Sequence, residues 1–105
     1  MTTPSRYDGK PFLRLLDCYV MDAIGFLDPE DDEQLRNAEP KLRAAFGLTG
    51  SWREMVVARM NFPAGMQGAL RELWEKGRPK FIAANGFEPN PWDFTIQFID
   101  TKFPH

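Results

Sequence analysis

Proline marks where helices can begin in this chain, and it does so repeatedly. Of the nine prolines, Pro11, Pro29, Pro40, Pro63, Pro79 and Pro91 each precede a short run with apolar residues at helical spacing. Proline suits the first helical position because the N–H it lacks would find no partner there and its φ is already helical. The cadence therefore predicts an all-α fold: an orthogonal bundle of about six to seven short helices around a central N-terminal helix. Residues 1–9 read as a flexible lead-in and residues 10–105 as one helical domain.

The first helix is expected from Pro11 to Leu27. Its apolar residues, from Phe12 through Leu27, fill a broad half of the wheel at about 100° per residue. So wide a face suits a helix touched by several others. Asp28 caps a second helix at Pro29, and Glu30, Asp31 and Asp32 oppose the positive end of its dipole. Because proline is costly inside a helix, a break is expected at Glu39, with a third helix over Pro40–Phe46. Ser51-Trp52-Arg53-Glu54 has capping-box form and opens a fourth helix, about Trp52–Asn61. A fifth spans Ala64–Lys76, stopped by Gly77 and Pro79, and a short sixth spans Pro79–Ala84. Asn90-Pro91-Trp92-Asp93 combines a cap, a first-turn proline and a first-turn acid. It predicts a last helix over Pro91–Lys102, in preference to a strand carrying Phe94, Ile96 and Phe98.

Composition supports a core built without covalent help. Nine Phe, three Trp and two Tyr in 105 residues supply large apolar surfaces, so neither disulfide nor metal is needed to stabilise the fold. The one cysteine cannot close an internal disulfide, which fits a reducing, cytoplasmic setting. No apolar run approaches the length of a transmembrane helix, and residues 1–10 lack the apolar core of a secretory signal. The net charge of −2 argues against a general nucleic-acid binder. It is unevenly spread, however. Asp28, Glu30, Asp31, Asp32, Glu33 and Glu39 stand against Arg36 alone, whereas residues 41–80 carry eight basic and three acidic side chains.

Chemistry-bearing patterns are sparse. The only histidine is His105, so no histidine can serve as base for Cys18, which reads as a buried structural thiol. No His/Cys cluster suggests a metal, no glycine-rich loop carries a phosphate-binding lysine, and no cofactor is expected. The loop from Gly47 to Ser51 reads as a plain helix connector.

Two groups stand out. Arg59 falls within the inward face formed by Trp52, Met55, Val56 and Met60, where a charge must pair, stack or extend outward. Asp17 and Asp22 on the first helix are its expected partners in a buried polar network. On the last helix, Phe94 and Phe98 lie nearly opposite the stripe of Trp92, Ile96, Ile99 and Phe103. A helix apolar on two sides is sandwiched within its own chain or covered by another.

These features favour a small non-enzymatic interaction module that binds another protein or a second copy of itself. In one version it neutralises a basic partner, as an immunity protein does, through Glu30, Asp31, Asp32 and Glu33. Phe94 and Phe98 would supply an apolar contact. One alternative is a DNA-binding regulator that presents Gln67, Arg71 and Glu75 from a weak helix-turn-helix. The other is a small-ligand binder that uses Asp17, Asp22 and Arg59.

Overall fold

A computed structural model describes residue 7 and residues 9–103. His105 and all of the lead-in except Tyr7 and Gly9 lie outside the described residues. Five helices follow in order: α1 (Pro11–Ala23), α2 (Pro29–Phe46), α3 (Trp52–Met60), α4 (Met66–Asn85) and α5 (Pro91–Lys102). Among the described residues there is no strand. The all-helical expectation therefore holds, with fewer and longer helices than the prolines suggested.

α1 is the hub and packs against each of the other four helices. Leu15, Cys18 and Val20 are among its fully enclosed residues, as the broad apolar face anticipated. It ends earlier than expected. Gly25 takes φ 87°, a left-handed conformation favoured by glycine, and the Phe26 N–H returns to the Met21 carbonyl at 2.9 Å. This six-to-one closure ends the helix and turns Phe26 outward over α4, where its ring meets Trp74 at 5.5 Å.

The expected breaks at Pro40 and at Gly77–Pro79 do not occur. α2 runs through Pro40, and α4 runs through Gly77 and Pro79 to Asn85. A proline frees the carbonyl four residues earlier and crowds it. Here those carbonyls belong to Arg36 and Glu75, and both residues are solvent-exposed, as are the two prolines. Water can satisfy the freed groups, so both helices continue past their prolines.

α4 begins at Met66 rather than Ala64, after Gly65 at φ 82° and with no side-chain cap, whereas two other boundaries follow their local signals. Ser51 and Glu54 form the reciprocal capping box at the start of α3. The Asn90 side chain accepts from the N–H groups of Trp92 and Asp93, and α5 occupies the predicted residues. Its inward face is rotated from expectation. Thr95 and Ile99 are the fully enclosed residues, whereas Trp92 remains 36% exposed.

The main core gathers Leu15, Leu16, Val20, Leu35, Trp52, Met55, Val56, Leu70 and Ile99, and Trp74 closes a smaller cluster with Met21 and Ile24. The body is flattened, with extents of 45 × 42 × 27 Å. Its radius of gyration is 14.6 Å, against about 13 Å for a typical domain of this length. α4 is covered unevenly. Met66, Leu70 and Trp74 in its first half lie against the body, while residues 75–80 and 83–85 are exposed.

Candidate functional site

The polar residues are arranged differently from the expected network. Arg53, which sequence reasoning did not single out, is the organising cation. Its Nε donates to Asp22 Oδ2 at 2.8 Å and its terminal nitrogen approaches Asp32 Oδ1 at 3.0 Å. The Gln67 amide also donates to Asp22, at 3.0 Å, and the Trp52 indole N–H donates to Asp32, at 3.1 Å. The guanidinium lies 4.4 Å from the Trp52 ring centre. One side chain thus connects α3 to α1 and α2, with α4 joined through Gln67. Burial alone would raise the Asp22 pKa, but the hydrogen bond and charge of Arg53, with help from Gln67, hold it below its ordinary value. Arg53 is held above its ordinary value, chiefly by its hydrogen bond to Asp22. These groups satisfy one another, an arrangement suited to holding helices together.

Arg59 joins neither Asp17 nor Asp22. It lies at the exposed edge of α3 and stacks over Phe12 and Phe46, at 4.7 and 5.3 Å from their ring centres. Its long stem lets the charge leave the apolar face and rest on aromatic rings. Asp17 is fully enclosed, and the Tyr7 hydroxyl donates to it at 2.9 Å. The structure therefore separates the three residues read as one network. Beside Asp17, burial pushes the Cys18 thiol up to about 12, with Arg14 opposing, so its thiolate is inaccessible near neutral pH.

The acidic run divides in two. Asp31 meets Arg14 at 3.8 Å, and Asp32 serves Arg53, Trp52 and Arg36. Glu30 and Glu33 are exposed. Asp31 and Asp32 thus work within the fold, and only the outer pair faces solvent without a side-chain partner. Among the described residues, no group of three His, Cys, Asp or Glu could hold a metal ion, and no helix is long and apolar enough to cross a membrane.

Phe94 and Phe98 belong to a continuous chain of ring contacts. It runs Phe26–Trp74–Phe94–Phe98–Phe103–Phe62–Tyr19, with centroid separations of 5.1–6.2 Å. Both rings are half-buried, covered in part by their own chain. Beside them lies an apolar concavity. The backbones of α4 and α5 do not approach one another closely, although the helices are consecutive and joined only by residues 86–90. The wedge between them encloses about 410 Å³ and is lined by Trp74, Gly77, Phe81, Phe87, Pro89 and Phe94, with Arg78, Glu88 and Asp93 at its polar margin. Phe81 and Phe87 meet edge to face at 5.4 Å, yet Phe87 remains 62% exposed; Leu73, four residues before Gly77 on α4, is 48% exposed. Arg78 grips Glu88 through two hydrogen bonds of 2.6 and 2.7 Å, tying the connector to the projecting half of α4.

Sequence reasoning missed Leu73, Phe81 and Phe87 as a group. The signal was present: Leu73, Gly77, Phe81 and Ala84 continue the face of Met66, Leu70 and Trp74 at helical spacing. Reading Gly77 and Pro79 as a stop concealed it. No protein-family model, curated protein or solved structure matches this chain, so its own residues carry the functional reading.

Proposed function

We propose that this protein is a non-enzymatic interaction module whose contact surface is the aromatic wedge between α4 and α5. One observation carries the reading: the apolar face of α4 continues past the body with Gly77 and Ala84 exposed and Phe81 half-buried, and Phe87 beside it is 62% exposed. Exposed apolar surface grouped in a concavity and rimmed by polar residues marks an interaction site. Phe94 contributes to this surface from one side, and Phe98 extends it along α5.

The duplex-DNA alternative receives less support. Of its reading residues, Gln67 is engaged with Asp22, and Arg71 pairs with Glu75 at 3.3 Å on their own helix. The small-ligand alternative needs Asp17, Asp22 and Arg59 around one space, and they are not neighbours. Glu30 and Glu33 supply two free charges for an immunity-type contact with a basic partner, half of the expected patch.

A photo-crosslinking residue placed at Phe87, with Lys41 on exposed α2 as the control position, tests the reading inside cells. Covalent adducts at position 87 and none at 41 are expected. Absence of adducts at 87, or equal labelling at both, would remove the wedge as an interaction site.

A further inference from the structure

The cleft beside Arg59 differs in character from the wedge. We propose that it binds a small organic monocarboxylate: the Arg59 guanidinium receives the carboxylate, and the apolar cleft takes the hydrocarbon body of the ligand. The site uses Arg59 without Asp17 or Asp22, is separate from the wedge, and goes beyond the interaction reading above.

The pairing of the arginines is the first observation. Arg14, Arg36, Arg43, Arg53, Arg71 and Arg78 each lie within 4.0 Å of a carboxylate oxygen. Arg59 is the exception, with neither an ion pair nor a hydrogen bond to its side chain among the described residues. It is held instead against Phe12 and Phe46, whose own rings meet edge to face at 5.3 Å. These contacts position the guanidinium while its N–H donors keep no protein acceptor. A guanidinium fork matches the two oxygens of a carboxylate. Seating a long side chain before the ligand arrives lowers the ordering cost of binding.

The cleft is the second observation. It encloses about 360 Å³ where the start of α1, the ends of α2 and α3, and Phe103 after α5 converge. That size suits a small ligand. Leu13, Leu16, Met60 and Phe103 give it an apolar lining. Its charged lining residues are Arg59 and Lys10, and no acidic residue is among the described residues that line it. The first turn of α1 also carries no acid, so the helix dipole adds to the positive character of the cleft. The wedge is the reverse case: Glu88 and Asp93 stand at its margin, and its arginine is committed to Glu88.

Charge and surface together set the ligand class. A neutral apolar molecule would leave the Arg59 donors unmet, and a cation would be repelled. A small inorganic anion would pair with Arg59 but leave the apolar lining wet. A carboxylate with a hydrocarbon body meets both demands, because charge-assisted hydrogen bonds are the strong ones and removing hydrocarbon from water adds affinity.

The test is calorimetric titration of the purified full chain with sodium decanoate, with acetate and decylamine as comparison probes. Decanoate is expected to bind, acetate to give no measurable heat of binding, and decylamine to bind at least about tenfold more weakly. Arg59→Gln should weaken decanoate at least about tenfold, while unchanged circular dichroism shows that the fold survives. Arg59→Lys, which keeps the charge and loses the fork, should fall between the two. Decanoate should move the amide resonances of Leu13 and Met60 and leave those of Phe81 and Phe87 in place. Binding weaker than about 1 mM, equal binding of decylamine, affinity unchanged in Arg59→Gln, or shifts confined to Phe81 and Phe87 would overturn the proposal. Failure here leaves the wedge reading standing, because crosslinking at position 87 reports on a different surface.

Discussion

At the scale of single residues, Arg53 and Thr95 illustrate two different uses of buried polarity. Arg53 gathers Asp22 and Asp32 from separate helices, and the pair with Asp22 is partly shielded. Asp22→Asn is expected to cost about 1–2 kcal/mol at pH 7, a moderate value for charged hydrogen bonds that still meet solvent. The pH dependence has a definite sign. The folded pKa of Asp22 lies below its ordinary 3.8, so its contribution is complete above that value and is lost as pH falls through the folded pKa. Urea titrations at pH 7 and pH 3 should therefore show the gap between wild type and Asp22→Asn narrowing in acid, and a gap of constant size would contradict the assignment. Thr95 is the opposite case: its hydroxyl is buried between helices with no hydrogen-bond partner. Thr95→Val keeps the shape and removes the unmet group. It should stabilise the fold by about 1 kcal/mol, read as a higher urea midpoint at unchanged slope. A lower midpoint would mean that the hydroxyl is satisfied in solution.

At the scale of elements, legibility followed whether the signal was local. Caps were readable because the groups that decide them are within three residues: Ser51 with Glu54, and Asn90 with Trp92 and Asp93. Proline was readable where it opens a helix, with a side-chain cap before it at Pro29 and Pro91 and without one at Pro11. Pro40 and Pro79 fall inside helices, and whether a lone proline stops a helix depends on which side faces solvent. That is a tertiary fact absent from a local reading. The candidate site shows the same division. Phe94 and Phe98 were visible as a second stripe, whereas Phe81 and Phe87 became neighbours of that stripe only because α4 continued. Arg53 was hidden because its two acids are 31 and 21 residues away. The continuity of α2 yields its own test. Pro40→Ala restores a backbone hydrogen bond to the exposed Arg36 carbonyl. It should raise stability by roughly 2 kcal/mol, somewhat below the full penalty of an interior proline because the unfolded chain also gains freedom. Loss of stability, measured by thermal melting, would show that Pro40 is needed for α2 to pack on α1 and α3.

At the scale of the whole molecule, α4 is covered along its first half and exposed along most of its second, which carries Gly77 and Pro79, both poor helix residues. Gly77 separates helix propensity from packing, because an added methyl group meets nothing in the folded chain. Gly77→Ala is expected to stabilise the fold by about 1 kcal/mol, read as a higher melting temperature. Gly77 also lines the wedge. If the wedge is the contact surface, the added methyl group should lower crosslinking at position 87 while the fold gains stability. A variant that is more stable with crosslinking at position 87 unchanged would place the contact away from Gly77.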